Sequence, residues 1–208
     1  MSADVYSAYG MLVKEFGRMN WWPAGREFVP KEWEVCAGAI LTQNTNWKNV
    51  EKALDNLEAA GIITPGATLN LRQEKLELLV RPSGFYRQKA VRLKALAELV
   101  SEFGNFDNFV KKVRREELLA VNGIGPETAD SILLYACGRP VFVADAYTRR
   151  FLEAVGVKTA HDYESLRRYF EERLPEDVDL YKEFHALIVE WGKRKKNGKK
   201  NLKKTREE

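Results

Sequence analysis

The most informative segment of the chain covers residues 115–150 and reads REELLAVNGIGPETADSILLYACGRPVFVADAYTRR. It predicts a helix, a tight turn over residues 122–125, and a second helix that begins at Pro126, whose missing N–H is not needed in a first helical turn. Gly123 and Gly125 allow positive φ and the close approach of another surface. Ile124 can plug between the two helices. The segment therefore predicts two short helices joined by a glycine turn.

This hairpin has the composition of a phosphate-binding site. The backbone N–H groups of Gly123, Gly125 and the following turn are expected to point outward and to cradle a phosphate. A helix-hairpin-helix of this kind holds a DNA backbone phosphate without reading the base sequence. An ordinary αα-hairpin with a glycine turn is the alternative, and the turn alone does not distinguish the two.

The whole chain has the composition of a helix-rich globular protein. It has 208 residues, of which 45% are hydrophobic and 31% charged. Its apolar runs are far shorter than the roughly 18–20 residues of a membrane span, and its first residues lack the basic and apolar regions of a signal peptide. A cytoplasmic location is expected. Cys36 and Cys137 are predicted to be buried free thiols, since two cysteines make neither a disulfide framework nor a four-cysteine metal site.

The positive charge is concentrated at the end of the chain. Residues 193–208 carry nine Lys or Arg and two Glu, a local balance of +7, while the other residues together carry −3. Such a tail suits a polyanion, and nucleic acid is the natural candidate. A solvated, frayed chain end is the alternative.

The rest of the sequence has helical periodicity. Val91, Ala95, Leu99 and Phe103, for example, repeat along one face of a predicted helix. The only β-like run, residues 141–143, is too short for a sheet, so the predicted fold class is all-α with about ten helices. Further helices are predicted at about residues 4–17, 31–43, 47–60, 70–80, 107–113, 116–121, 126–137, 146–155, 163–173 and 180–191.

Three segments together carry a family resemblance. They are LAVNGIGPETA at residues 119–129, GRPVFVADAYTRR at residues 138–150 and ILTQNT at residues 40–45. With these segments the chain resembles the endonuclease III superfamily of base-excision DNA glycosylases over nearly its whole body.

The resemblance implies a two-lobed helix-hairpin-helix fold with an active site in the cleft between the lobes. A six-helix block would cover residues 28–138 and include the hairpin at 115–137. The second lobe would combine residues 1–27 with 139–192, followed by the basic tail at 193–208.

Two departures from the family pattern refine the expected function. Glu127 stands where members with lyase activity have a lysine, and a carboxylate cannot form a Schiff base. The four-cysteine iron–sulfur loop is replaced by the lysine-rich stretch from Lys193. Together with Trp21 and Trp22, these features resemble the 3-methyladenine DNA glycosylase branch that lacks the cluster. The resemblance implies a monofunctional hydrolase that excises alkylated purines, without cofactor or catalytic metal, and leaves open a monovalent cation at the hairpin.

Asp145 is the predicted catalytic residue. Cleavage of an N-glycosidic bond builds positive charge on the sugar, which a nearby carboxylate stabilises. An N-cap for the helix that starts at Ala146 is the alternative role, and the two roles are compatible.

The predicted base pocket consists of Trp22, Trp47, Trp21 and Glu127. Aromatic rings attract the delocalised positive charge of an N-alkylated purine. The tryptophans could instead be structural, and Glu127 could be an ordinary first-turn carboxylate. His161 and His185 are interpreted as structural.

The predicted DNA contacts surround the hairpin. Gln43 would fill the gap left by the extruded base, or be an ordinary polar residue at a helix end. Arg87 and Lys89 would contact phosphates, or be solvated. The full predicted DNA-binding set is Gln43, Asn122, Gly123, Ile124, Gly125, Thr128, Arg87 and Lys89.

The expected partner is double-stranded DNA with damaged bases, bound by a monomer. One competing hypothesis is a glycosylase for a neutral lesion such as uracil, mismatched thymine or an oxidised purine, whose pocket would need hydrogen-bonding groups more than facing rings. A second is a non-catalytic DNA-binding module, which gives no reason for Asp145 at its position. A third is endonuclease or lyase activity, which Glu127 disfavours, although another amine could act weakly.

Overall fold

The structure, a computed structural model, describes residues 5–19, 25–157 and 162–204, with side chains described up to residue 195. All regular structure in these residues is helical, as the sequence predicts. The chain divides into two compact units, one formed by Trp22–Arg139 and the other by Met1–Trp21 with Pro140–Glu208. Trp21 and Trp22, two residues of the predicted base pocket, lie outside the described residues, as does His161.

Eight of the α-helices in the described residues begin within the Trp22–Arg139 unit. They are α2 (Lys31–Leu41), α3 (Trp47–Ala59), α4 (Pro65–Asn70), α5 (Gln73–Val80), α6 (Tyr86–Glu102), α7 (Phe106–Lys112), α8 (Arg115–Ala120) and α9 (Pro126–Ser131), with the last continuing as a π-helical turn, Ile132–Ala136.

The helix α2 forms the centre of this unit. Every residue from Trp33 to Leu41 is buried, and α2 packs against α3, α6 and α9. A helix that is apolar on nearly all sides is stable only when other elements surround it. The loop that leaves α2 is therefore attached to the best-packed part of the unit. Cys36 is buried in this helix and is a free thiol, as is the partly exposed Cys137.

The helix α4 is missing from the sequence prediction, which takes Pro65 and Gly66 as a break. The Thr64 side chain caps this helix by accepting a hydrogen bond from the Ala67 N–H at 3.0 Å. Pro65 occupies the first helical turn, where proline is well tolerated. The same two residues thus start a helix rather than interrupt one.

The prediction of which face of α6 is buried is also partly wrong. Val91 is 55% exposed. The buried positions instead follow a neighbouring stripe, and they are Lys89, Ala90, Leu93, Leu96, Ala97 and Val100. A buried lysine on this face is the least expected of these positions, because lysine is rarely buried completely.

The second unit contains α1 (Val5–Phe16), α10 (Ala146–Ala154), α11 (Tyr163–Glu171) and α12 (Val178–Lys204). Its core is aromatic: the rings of Phe142 and Phe170 stack with centroids 4.0 Å apart, and Phe184 packs edge-on against Phe170 at 5.4 Å. The β-like run at 141–143 is a connection without regular secondary structure, and its Phe142 is buried in this core.

The helix α12 continues far beyond the predicted end at residue 191. Its backbone stays helical to Lys204, so the change of composition at Lys193 is not a structural boundary. At the start of the lysine-rich part of α12, the Lys195 ammonium lies over the Trp191 ring, 4.7 Å from its centroid. Cationic side chains can cover apolar surface in this way.

Candidate functional site

The predicted hairpin is present, and its turn depends on one of its two glycines. Gly123 has a φ of +86°, which confirms the need for glycine there. Ile124 is only 4% exposed and plugs the hairpin as expected. Gly125 differs from the expectation, because its φ of −87° and ψ of 175° are extended backbone that any residue adopts.

The surroundings of the two glycines differ as well. A Cβ atom at Gly123 would collide with the Arg92 side chain. A Cβ atom at Gly125 would meet nothing within 4 Å. The protein itself therefore requires glycine at position 123, whereas at position 125 the missing side chain leaves space open to another molecule.

The N-terminus of α9 has no side-chain cap. Gly125 occupies the N-cap position, and no side chain hydrogen-bonds to the first turn from it. Pro126 follows, and Glu127 is an exposed carboxylate in the first turn. Uncapped N–H groups and the positive end of the helix dipole together favour an anion at this end of the helix.

An ion pair that the sequence analysis did not identify braces the hairpin. The Arg115 guanidinium binds both carboxylate oxygens of Asp130, at 2.6 and 3.0 Å. Asp130 is completely buried. Arg115 is the first residue of α8, and Asp130 lies within α9. The bidentate contact between them therefore fixes one helix of the hairpin against the other.

Gln43 lies in the loop after α2 and is bound to the hairpin. Its Nε2 donates to the Gly123 carbonyl and to the Thr128 hydroxyl, both at 3.0 Å, and its Oε1 accepts from the Arg92 guanidinium. Thr128, a predicted DNA contact, is buried and faces Gln43. The structure thus brings together three of the predicted residues, Gln43, Gly123 and Thr128.

The predicted phosphate contact by Lys89 is wrong. Lys89 has no exposed surface, and its ammonium donates to the carbonyls of Leu41 at 2.8 Å and Ser83 at 2.6 Å. Burial, with the positive charge of Arg92 nearby, lowers its pKa to about 8. A side chain enclosed in this way cannot reach a phosphate.

Arg87 fits the surface prediction better. Its side chain is 78% exposed, 3.8 Å from the Glu77 carboxylate. It also lies over the ring of Tyr86, with 5.7 Å between the guanidinium carbon and the ring centroid. Arg81 lies 6.0 Å from the same ring centroid. The start of α6 therefore presents an aromatic ring and two exposed cations close together.

Phe85 is a candidate that the sequence analysis did not identify. It precedes α6 in the left-handed region, with a φ of +46°, and 63% of it is exposed. A phenylalanine is uncommon in that backbone conformation, and phenylalanine side chains are more often buried than exposed. The signal was the pair Gly84-Phe85 at a helix start, where an apolar residue has no core to enter.

Asp145 caps the N-terminus of α10, which was the alternative role for this residue. Its Oδ1 accepts hydrogen bonds from the N–H of Tyr147 at 2.8 Å and the N–H of Thr148 at 2.9 Å. The Thr148 hydroxyl donates to the same oxygen at 3.1 Å. One carboxylate oxygen is therefore held by three donors, and the orientation of the other follows from it.

The second carboxylate oxygen faces a histidine. The Nε2 of His185, on α12, lies 3.7 Å from Oδ2 of Asp145, and only 15% of the Asp145 side chain is exposed. Burial acts to raise the pKa of Asp145, but interaction with His185 and hydrogen bonds from Thr148 outweigh it and hold the pKa below its ordinary value. Asp145 is thus an ionised carboxylate in a largely enclosed place.

The position of His185 was not expected from the sequence, in which it is interpreted as structural. It stands 40 positions after Asp145 in the chain, without a local pattern that joins the two. The approach of α12 to α10 depends partly on Gly192, where a Cβ atom would collide with the Tyr147 ring. This close packing brings His185 to the carboxylate.

Trp47 is the one tryptophan of the predicted base pocket within the described residues. It is the first residue of α3, after Asn46, whose side chain accepts a hydrogen bond from the Asn49 N–H at 3.2 Å. Trp47 is partly exposed. Both of the predicted roles, in a base pocket and at the start of a core helix, are compatible with this position.

The described residues contain neither a membrane-spanning helix nor a cluster of metal ligands. No helix there has both the length and the apolar character to cross a membrane. The same residues contain no group of three or more His, Cys, Asp or Glu side chains that could hold a metal ion.

A family model matches the part of the chain that holds these features. Residues 37–176 match the HhH-GPD superfamily of base excision DNA repair proteins. The chain belongs to this superfamily, which confirms the resemblance drawn from the hairpin and Asp145 segments.

Two relatives cover most of the chain. A protein of Methanocaldococcus jannaschii assigned as a DNA repair glycosylase is 46% identical over 193 residues, which are 89% of this chain and 86% of the relative. Endonuclease III of Thermotoga maritima is 30% identical over 186 residues, 88% of this chain and 80% of that protein.

Solved structures agree in fold. The 3-methyladenine DNA glycosylase of H. pylori, bound to 1,N6-ethenoadenine, superposes with a TM-score of 0.80 and 36% identity, covering 93% of this chain and 98% of that one. A trapped covalent complex of endonuclease III with DNA has a TM-score of 0.72 at 20% identity, covering 91% and 84%. The all-α fold expected from the sequence is confirmed.

Proposed function

We propose that this protein is a monofunctional DNA glycosylase that removes alkylated purines such as 3-methyladenine from duplex DNA. The observation that carries the proposal is Asp145, an ionised and largely enclosed carboxylate at the N-terminus of α10. The likeness to the H. pylori 3-methyladenine DNA glycosylase, at 36% identity over nearly its whole length, supports the substrate class.

The proposed reaction is hydrolysis of the N-glycosidic bond. The purine leaves with the bonding electrons, the sugar gains positive charge, and water adds to its C1′ carbon while losing a proton. An N-alkylated purine is already cationic, so it departs as a neutral base and requires little help from an acid. The role of Asp145 is to stabilise the cationic sugar electrostatically and to orient the water.

The hydrogen bonds of Asp145 suit this role. Three donors on Oδ1 fix the carboxylate and keep it ionised, while Oδ2 is held by no backbone donor of this turn. A preorganised charge does not have to reorient as the sugar becomes positive. The Nε2 of His185 lies 3.7 Å from Oδ2, and its interaction with the carboxylate helps to hold the pKa of Asp145 below its ordinary value.

The hairpin is proposed to hold a phosphate of the damaged strand. The uncapped N-terminus of α9 and the open space at Gly125 support this proposal. Backbone N–H groups that approach a phosphate through a glycine bind it without regard to base sequence. Asn122 and the exposed Arg87 are proposed to lie along the same DNA path.

Gln43 and Phe85 are proposed to enter the duplex where the damaged base leaves it. Phe85 is an exposed ring on a tight turn. Gln43 uses both N–H groups on the hairpin, but its Oε1, which accepts one hydrogen bond from Arg92, has a second lone pair that can accept from the unpaired base on the opposite strand. Inserting an aromatic side chain compensates for part of the stacking lost when a base is flipped.

The base itself is proposed to bind between aromatic rings that include Trp47, with Trp22 and Trp21 as further members. A cationic purine gains both stacking and cation–π attraction there. Glu127 is proposed to contribute at the pocket edge. With a carboxylate at this position, no Schiff base forms and the abasic product remains uncleaved.

One relative favours a second substrate class. Thymine/uracil-DNA glycosylase of Pyrobaculum aerophilum is 27% identical over 189 residues, 87% of this chain. A neutral base of this kind would need hydrogen bonds to its edge rather than facing rings. The same carboxylate and hairpin would serve either substrate.

The deciding experiment is to incubate the protein with duplex DNA that has been treated with a methylating agent and to identify the free bases released. Release of 3-methyladenine, without strand breaks before alkali, supports the proposal. Release of uracil or thymine from mismatched duplex instead moves the specificity to the second class. No base released from any damaged duplex would leave a DNA-binding module and overturn the proposed role of Asp145.

A further inference from the structure

Two cations on one face of α6 connect separate segments of the Trp22–Arg139 unit. Lys89 and Arg92 are three residues apart and therefore neighbours on the helix surface. Each donates hydrogen bonds to a segment distant in the chain, up to 49 positions away. Together they reach the end of α2 with its following loop, the turn before α6 and, through Gln43, the hairpin.

Lys89 joins the first two of these segments. Its ammonium binds the carbonyl of Leu41, two residues before Gln43, and the carbonyl of Ser83, two residues before Phe85. Both acceptors are backbone atoms, so the contact fixes the two main chains rather than two flexible side chains. The spacing between the Gln43 and Phe85 loops therefore depends on a buried ammonium.

Arg92 joins the Gln43 loop to the hairpin. Its guanidinium donates to Oε1 of Gln43, whose Nε2 donates in turn to the Gly123 carbonyl and the Thr128 hydroxyl. The guanidinium also lies so close to Gly123 that a Cβ atom there would collide with it. Both ends of the Gln43 amide are thus held, which selects one orientation of this side chain.

We propose that Arg92 and Lys89 are positioning residues that hold Gln43 and Phe85 at a set distance from the hairpin, so that the grip on the phosphate and the opening of the base pair occur together. This proposal rests on the proposed function, because it assigns the two side chains to base flipping. It adds two residues that touch neither the damaged base nor the phosphate. Their effect is on geometry, where small displacements have large effects on rate.

The test compares two substrates in single-turnover excision with excess enzyme. One carries the damaged base in a fully paired duplex, and the other carries it opposite a one-nucleotide gap, where no partner base has to be separated. Arg92→Met is expected to slow excision from the paired duplex by about tenfold and from the gapped duplex by about twofold or less.

Lys94 provides a matched control on the same helix. Its ammonium donates to the carbonyl of Leu69 at 3.0 Å, so it also links α6 to another segment, but that segment is α4 rather than the Gln43 or Phe85 loop. Lys94→Met is expected to leave excision from both substrates at the wild-type rate. A purely structural effect of losing a cation from α6 would appear in both variants.

A double-mutant comparison tests the route through Gln43. Because Arg92 acts on Gln43, the variant that combines Gln43→Ala with Arg92→Met is expected to be no slower on the paired duplex than Gln43→Ala alone. Arg92→Lys, which keeps the charge but not the planar fork, is expected to be intermediate. Thermal unfolding of each variant shows whether it is folded, and Arg92→Lys serves if Arg92→Met is not.

Three outcomes are informative. Equal slowing on paired and gapped duplexes, or wild-type rates for Arg92→Met, would overturn the inference while leaving the proposed function intact. If the wild type releases no base from either substrate, the proposed function fails. The inference is then tested by 2-aminopurine fluorescence opposite an abasic-site analogue, where a rise with wild type and Lys94→Met but not with Arg92→Met supports it, and equal signals overturn it.

Discussion

Two helix N-termini in this protein use the same backbone chemistry in opposite ways. Both α9 and α10 are preceded by a residue in extended conformation, Gly125 in one case and Asp145 in the other. Each helix start presents N–H groups that attract negative charge. At α10 the chain supplies that charge itself, since the Asp145 carboxylate accepts from the first-turn N–H groups. At α9 the residue in the same position has no side chain at all.

The difference shows how one local motif serves two kinds of site. A helix start that holds its own carboxylate presents a fixed negative charge, suited to a substrate that becomes positive. A helix start without a cap leaves donors for an external anion such as a phosphate. A single side chain, at the N-cap position, therefore decides which charge the site attracts.

Asp145→Asn is expected to lower the single-turnover excision rate by about a hundredfold to a thousandfold, because it removes the preorganised charge. The amide oxygen of asparagine can still accept from the N–H groups of Tyr147 and Thr148, so the cap remains. Rates on methylated duplex and urea unfolding of both proteins check this. A variant that is folded and as active as the wild type would show that the charge at α10 has no part in catalysis.

Gly125→Asp gives α9 the cap of α10. The new carboxylate has open space and an extended backbone, so the free energy of unfolding is expected to stay within about 0.5 kcal/mol of the wild type or to rise. Affinity for duplex DNA is expected to fall by about tenfold or more, since like charges would meet at the phosphate.

The control for that substitution is Gly125→Ala, which adds a Cβ atom without charge. Fluorescence anisotropy at one fixed salt concentration compares the three proteins, because affinity for DNA depends strongly on salt. Equal affinities of the wild type and Gly125→Asp would exclude the hairpin as a phosphate site.

Gly123→Ala tests the other glycine of the hairpin. Its positive φ and the nearby Arg92 side chain predict a loss of about 1–2 kcal/mol in the free energy of unfolding. Gly125→Ala should change stability by only a few tenths of a kcal/mol, since position 125 has neither constraint. Urea unfolding measures both, and similar losses for the two variants would contradict the distinction drawn between these glycines.

Ionisation of Asp145 also makes a pH-dependent contribution to the stability of the fold. The pKa of Asp145 is held below its ordinary value, so ionisation of this group stabilises the fold above the unfolded-state pKa of about 3.9, and that stabilisation is lost as the pH falls through the lower folded-state value. The difference in unfolding free energy between wild type and Asp145→Asn is therefore expected to change below about pH 4, in the direction that disfavours the wild type. A difference that stays constant down to about pH 2 would show that the pKa is not lowered.

The features that sequence reasoning identified correctly are local. The positive φ at Gly123, the plug at Ile124 and the cap by Asp145 each depend on residues within about four positions, and hydrogen bonds of a turn or helix start are formed within that distance. The same reasoning missed α4, although Thr64 and Pro65 carry a start signal. It favoured the break that proline and glycine usually mark.

The errors arose where partners come from elsewhere in the chain. Lys89 is of a residue type that often contacts DNA, but the packing of α6 directs its side chain inward to the carbonyls of Leu41 and Ser83. Val91 belongs to an apolar stripe by spacing, yet it is exposed. A helix that carries apolar residues on two adjacent stripes does not by itself specify which one is buried.

An all-α chain with a glycine hairpin and a capping aspartate can be predicted from the sequence alone. These features depend on hydrogen bonds that the backbone forms within a few residues. The contact of Arg92 with Gln43 beside the hairpin and the approach of His185 to Asp145 follow from the three-dimensional packing of the helices. Together with the hydrogen bonds from Gln43 to the hairpin, those contacts join residues 40 to 85 positions apart. They exist because helices that bury apolar faces against one another bring distant polar side chains together as a consequence.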